Sequence, residues 1–257
     1  MNKIIFTGTA PGFPARDRAC SSFVLIVDKK IYQFDAGEGF SNSVQTYKIP
    51  YNNIENIFIS HLHPDHITGI FLELQLMLLA KRTKPLDIFV PEEGVAGLEK
   101  ACQMFYLIKE KFPFQFTFRP VRPNPVFRDG EFALYAYSNL HLSGNTEIIE
   151  KINAPNKMQS YSYILVIDGR RTLYSGDIKD ENDLSGLTDD THTVIIEGMH
   201  GDFAKIAEIC AAGGVQRLVL THLPIELYNR PHKLETVALK HGIKKLVIAT
   251  DGLRLVL

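Results

Sequence analysis

The run His61-Leu62-His63-Pro64-Asp65-His66 packs three imidazoles and a carboxylate into six residues. It follows the β-rich stretch 56–60 and precedes an apolar i, i+3, i+4 pattern carried by Ile67, Ile70, Phe71, Leu74 and Leu78, so the chain turns there from a strand into a helix. Histidines two residues apart at a strand end can both face one site if the chain turns, while Asp65 and His66 leave in another direction on the helix. One short loop then offers two nitrogens to one cation, and an oxygen plus a nitrogen to a second. Imidazole and carboxylate suit zinc, and also manganese or iron. The competing reading is a solvated turn in which Asp65 only caps a helix.

Four more polar residues stand at the ends of strand-like runs: Asp35 after 30–34, His141 after 131–140, Asp177 after 171–176 and His222 after 217–221. Each is weak alone, but active groups collect on loops at one edge of a sheet. The joint expectation is a dinuclear centre. His61, His63 and His141 hold one divalent ion, Asp65, His66 and His222 hold the other, and Asp177 bridges them. A water shared by two cations loses a proton near neutral pH, and the hydroxide left is a nucleophile. Of the nine histidines, His192, His232 and His241 read as surface residues.

Positioning these groups falls to strands alternating with helices. Strand-like runs cover 3–8, 21–27, 30–36, 56–60, 87–90, 114–121, 131–138, 161–167, 171–177, 191–198, 217–222 and 244–250. Helices are expected over 66–82, 94–111 and 202–213. The segment 121–130, punctuated by proline and glycine, reads as a loop inside one domain spanning 1–257. Two sheets covered by helices follow from that order. Phe105, Tyr106 and Phe112 are expected to pack into the core, the alternative being that they line a pocket above the site, and Cys102 and Cys210 to be inert core thiols.

The 257 residues are 45% hydrophobic and 22% charged, which excludes a disordered, collagen-like or coiled-coil chain. Lys+Arg is 28 against 29 Asp+Glu, so no global basic field grips nucleic acid, and no basic stripe or stacking platform marks a nucleic-acid-binding module. No apolar run nears the ~18 residues of a membrane span, and the first residues lack a signal-peptide pattern. Three cysteines without a CxxC make the cytoplasm the expected compartment.

On these motifs the sequence resembles the metallo-β-lactamase fold superfamily, in its ribonuclease Z-like phosphodiesterase branch. The opening Gly8-Thr9-Ala10-Pro11-Gly12-Phe13-Pro14 with Ser21-Ser22, the segment Asp35-Ala36-Gly37-Glu38-Gly39, the HLHPDH block, Ser175-Gly176-Asp177, Thr221-His222 and a closing strand at Ala249-Thr250-Asp251-Gly252 carry the likeness. Pro64 departs from it, standing where the branch usually has glycine. The resemblance implies a four-layer αββα sandwich, two divalent ions (zinc first), a homodimer, Asp35 and Glu38 supporting the ligands, and hydrolysis of a phosphodiester. It also implies a Glu–His proton donor, matched here by Glu197 and His200, which lies 22 positions before His222. Asp65 would accept a proton while ligating, and His200 would protonate the leaving oxygen. Ribonuclease Z carries a long tRNA-clamping arm between the ligands that correspond to His141 and Asp177, here only 36 positions apart. A small phosphodiester is therefore expected, with nucleic acid not favoured. Alternatives are tRNA 3′ processing, a lactonase, thioesterase or β-lactamase of the same fold, or a metal-holding member without turnover.

Overall fold

The computed structural model describes residues 2–122 and 125–257. It falls into two compact units, Met1–Val121 with Thr250–Leu257, and Arg122–Ala249. The first holds β1 (Lys3–Gly8), β2 (Ser22–Val27), β3 (Lys30–Phe34), β4 (Ile54–Phe58), β5 (Leu86–Val90) and β6 (Phe116–Pro120). The second holds β7 (Phe127–Asp129), β8 (Phe132–Ser138), β9 (Tyr161–Ile167), β10 (Arg170–Tyr174), β11 (Thr191–Glu197), β12 (Arg217–Thr221) and β13 (Leu246–Ile248), after which β14 (Arg254–Val256) returns to the first. Each unit has one seven-stranded sheet, ordered β14-β1-β2-β3-β4-β5-β6 and β13-β12-β11-β10-β9-β8-β7. These are the two mixed sheets with flanking helices expected of the fold class.

Both sheets follow one plan. Strands β14 to β3 pair antiparallel and β3 to β6 parallel. In the second sheet β7 to β10 pair antiparallel and β10 to β13 parallel. Two antiparallel steps restore direction, so β1 runs with β3 and β4, and β8 runs with β10, β11 and β12. The carboxyl ends of those strands share one edge of each sheet, and every expected ligand follows one of them.

The parallel crossovers supply the helices: α1 (Phe40–Thr46), α2 (Pro64–Ile67), α3 (Gly69–Leu79) and α4 (Val95–Met104) in the first unit. In the second, α5 (Thr146–Ile152) lies between β8 and β9, and α6 (Phe203–Ala212), α7 (Ile225–Tyr228) and α8 (Pro231–Lys240) follow β11 and β12. In the first sheet Ile5, Val24, Ile57 and Ile88 pack with Phe40, Val44, Leu74 and Leu98 from the helices. The alternate residues Phe6, Phe23, Phe34, Phe58 and Phe89 form a row of rings on the opposite face, with centroids 4.8–5.9 Å apart. In the second sheet Ile164, Leu173, Val194, Leu218 and Leu220 pack with Ile206, Cys210, Leu234 and Ala238. The alternate Tyr163, Leu165, Ile195 and Val219 are buried as well. Burial on both faces explains why these strands read as unbroken apolar runs.

Several expectations are corrected. The expected helix over 66–82 is two, α2 and α3, and the one over 94–111 stops at Met104 because Tyr106 adopts φ 60°. Phe105 and Tyr106 are consequently exposed, whereas Phe112 is buried. The segment 121–130 contains β7 and the passage between the two units, and its residues 123 and 124 lie outside the described ones. The closing strand is not at 249–252 but at Arg254–Val256. His192 and His241 are half-buried rather than surface residues, and His241 pairs with Glu208. Cys102 and Cys210 are buried, which pushes their thiols up to about 11 and about 12, consistent with inert thiols. Among the described residues no helix is long and apolar enough to cross a membrane.

Candidate metal centre

In the first unit β4 delivers Ser60 and His61, and α2 starts three residues later. Pro64 occupies the first turn of α2, where a missing N–H costs nothing, and His63 precedes it in extended geometry. Proline in place of glycine thus starts the helix that carries Asp65 and His66. The rings of His61 and His63 lie 4.7 Å apart, and those of His61 and His66 4.1 Å apart.

Asp35, fully buried at the end of β3, braces this cluster. Its Oδ1 accepts the main-chain N–H of Ser60 at 2.7 Å, and its Oδ2 the Ser60 hydroxyl at 3.0 Å. Oδ2 also lies 2.8 Å from His66 Nδ1. Ser60 Oγ is 3.0 Å from His61 Nδ1. Both rings are therefore held by Nδ1, which makes Nε2 the nitrogen that could take a metal. Asp35 adopts φ 54°, a left-handed conformation uncommon outside glycine, which turns the chain off β3. Gly37 follows because a Cβ there would collide with the Asp65 carbonyl oxygen and with Cys20. Glu38 is exposed and enters through its main chain, accepting Cys20 N–H at 2.9 Å.

In the second unit His141 follows β8, Asp177 follows β10 and His222 follows β12. His141 Nδ1 lies 3.2 Å from the Ile178 carbonyl oxygen, which again makes Nε2 the nitrogen that could take a metal. Asn139 brackets the pair, accepting the His141 main-chain N–H and donating to the Asp177 carbonyl at 3.0 Å. His141 Nε2 and His222 Nε2 stand 3.7 and 3.5 Å from Asp177 Oδ2, and in the first unit His66 Nε2 stands 3.5 Å from Asp65 Oδ2. These gaps are long for hydrogen bonds. They match two donors on one tetrahedral zinc, which bonds of about 2.0–2.1 Å place roughly 3.4 Å apart. The donor set therefore fits a divalent metal. His222, like Asp35, leaves its strand with a positive φ of 55°.

At the end of β11, Glu197 is buried and organises the next turn. Its carboxylate accepts the main-chain N–H groups of Ile178, Met199 and His200, and its Oε1 lies 2.8 Å from His200 Nδ1. The His200 ring sits edge-on to His141, with centroids 5.1 Å apart. The His200 side chain is 39% exposed, so the oriented ring meets solvent next to a candidate ligand.

The chain thus carries His and Asp side chains grouped as a metal ion requires, the first unit supplying His61, His63, Asp65 and His66 and the second His141, Asp177 and His222. Ser60 and Asn139, which hold these ligands, are absent from the sequence-based set. Their only signal is adjacency, Ser60 one residue before His61 and Asn139 two before His141.

The sequence model of the family described as anti-Pycsar protein Apyc1 matches residues 2–209. Ribonuclease Z of Thermoplasma volcanium is 26% identical over 265 residues, covering 86% of this chain and 86% of its own. Ribonuclease Z of Methanococcus maripaludis is 33% identical over 140 residues, but the match covers 54% of this chain and 45% of that protein. Among solved structures, the metallo-β-lactamase fold protein YhfI from Bacillus subtilis superposes with a TM-score of 0.76 at 19% identity, over 98% of each chain. The short form of human tRNase Z gives a TM-score of 0.75 at 19% identity, over 99% of this chain and 98% of its own. These superpositions establish the fold.

Proposed function

The chain belongs to the anti-Pycsar protein Apyc1 family and to the ribonuclease Z-like metallo-β-lactamase superfamily, and from that premise we propose that it cleaves a small phosphodiester: a cyclic nucleotide, another cyclic phosphate or a short oligonucleotide. It is a metal-dependent hydrolase of the phosphodiesterase type. Together these side chains would hold two ions: His61, His63 and His141 would serve one, Asp65, His66 and His222 the other, and Asp177 both. Zinc is the metal we propose, with manganese or iron as substitutes.

The observation that carries the phosphodiester reading is the Glu197–His200 pair. An alkoxide leaving phosphorus needs a proton, and an imidazole beside a ligand, its Nδ1 fixed by a buried carboxylate, can deliver one from Nε2. Divalent ions, when bound, supply Lewis acidity and a nucleophile at neutral pH. The protein's own groups do the rest. Asp65 takes the proton of the attacking water, His200 gives one to the leaving oxygen, and Glu197 stabilises the imidazolium before transfer. Asp35 and Ser60 keep His66 and His61 in the ligating tautomer. Hydrolysis of bis(p-nitrophenyl) phosphate, measured beside a lactone and a thioester, tests the reading, and preference for either of the latter would overturn it.

Ribonuclease Z relatives favour a second reading, processing of tRNA 3′ ends. Against it, the interval from His141 to Asp177 is filled by a short 3-10 turn, α5, β9 and β10, which leaves little chain for a clamping arm. We further propose that the two units work as one metallo-hydrolase domain over 1–257, in the cytoplasm and as a homodimer.

A further inference from the structure

We propose that Phe13 is a stacking platform for the base of a nucleoside phosphodiester, presented beside Asp65 by a tied loop; this deepens the phosphodiesterase reading and rests on it. Strand β1 runs with β3 and β4, so the loop that follows it leaves the sheet at the edge bearing Asp35 and the HLHPDH turn. The stem of that loop is closed. Ala10 N–H donates to the Ala19 carbonyl at 2.9 Å, and the Asp251 carboxylate accepts both Thr9 Oγ1 and Ala19 N–H at 2.7 Å. The buried Arg18 guanidinium adds a bond to the Thr9 carbonyl at 3.1 Å.

The tip of the loop lies on the carboxylate that ligates and accepts a proton. A Cβ added at Gly12 would stand 3.3 Å from Asp65 Oδ2 and 3.7 Å from Oδ1. Phe13 is the next residue, and its side chain is 84% exposed. Isolated exposed apolar residues need no explanation. What distinguishes this one is its place, one residue from contact with Asp65. Pro11 and Pro14 flank the Gly12-Phe13 pair and fix two backbone angles, so the ring's point of attachment is preset before any ligand arrives. An aromatic ring in water beside a phosphodiester-cleaving carboxylate suits a nucleobase, whose flat face stacks on it whatever the base.

Two measurements test the assignment. The first compares a nucleoside 2′,3′-cyclic phosphate with base-free ribose cyclic phosphate. Phe13→Ala should lower kcat/KM on the nucleoside diester by roughly 5- to 100-fold, chiefly through KM, the range expected for one lost stack. Phe13→Leu should resemble Phe13→Ala, and turnover of the base-free diester should stay within about twofold. Equal losses on both substrates, or none on either, would overturn the platform. The second needs no turnover. The sequence has no tryptophan, so Phe13→Trp installs a single reporter. A nucleoside monophosphate should quench it and ribose 5-phosphate should not, and the same response to both would also overturn the platform. A wild-type protein that cleaves neither diester would count against the phosphodiesterase reading, while the fluorescence still decides for or against stacking at Phe13.

Discussion

Asp35 Oδ2 and His66 Nδ1 lie 2.8 Å apart with no solvent between them, the carboxylate 0% and the imidazole 1% exposed. The same carboxylate holds Ser60, whose hydroxyl reaches His61, so one buried group orients a ligand for each proposed ion. Asp35→Asn presents an amide where a carboxylate faced Nδ1. Metal affinity is expected to fall about 10–100-fold, the usual effect of losing such a partner. Titration against a chromogenic chelator measures it, and unchanged affinity would contradict this role.

Loss of the His200 imidazole should leave the metal content intact, because this ring is held by Glu197 and is not among the ligands. For His200→Ala the rate on a diester with a poor leaving group is expected to drop roughly 10²–10⁴-fold. The loss should be much smaller with p-nitrophenolate, which leaves without help. Glu197→Gln should disturb the same step and alter its pH profile. Full activity of His200→Ala on an alkyl diester would remove this residue from the proton path.

Glu73, buried on α3, accepts a hydrogen bond from Gln33 at 2.9 Å. Burial pushes its carboxyl up to about 8, against smaller downward pulls from Gln33 and Arg82. A folded-state pKa above the unfolded one makes this group's contribution complete below about pH 4.5 and lost as pH rises through 8. Glu73→Gln removes the ionisation and keeps an acceptor for Gln33. Its stability gain should be small at pH 5 and grow to the order of a few kcal/mol by pH 9. Chemical denaturation across that range measures it, and a gain independent of pH would be contrary to expectation.

Gly37→Ala would drive a methyl into the Asp65 carbonyl and Cys20. A stability loss of about 1–3 kcal/mol is expected, together with weakened metal binding, because the turn carrying Asp65 must shift. Thermal melting with and without metal reads both effects.

How far the sequence revealed all this depended on residue type. HLHPDH was legible because four chemically distinctive residues fall within six positions. Asp35, Asp177 and His222 were legible because each follows a strand-like run of apolar, aromatic or β-branched residues, and strands running the same way bring such ends to one edge. Ser60, Asn139 and the Gln33–Glu73 pair were not, since neutral polar residues occur everywhere and only geometry shows what they hold. The length of α4 was misjudged because Leu107 and Ile108 continue an apolar pattern. The left-handed turn at Tyr106 instead sends Leu107 into the core by another route. Helices α1, α5, α7 and α8 escaped notice, the first three because they are short and α8 because its composition is mixed.

The central claim is that the His and Asp side chains of both units hold two divalent ions that cleave a phosphodiester. Its most direct test is elemental analysis of the purified, metal-reconstituted protein beside bis(p-nitrophenyl) phosphate hydrolysis, repeated on Asp177→Ala. We predict two ions per chain and turnover in the wild type, with one ion and nearly all turnover lost in the variant. A wild-type chain that retains no stoichiometric divalent ion after reconstitution, or an Asp177→Ala protein that keeps both ions and full activity, would contradict the account.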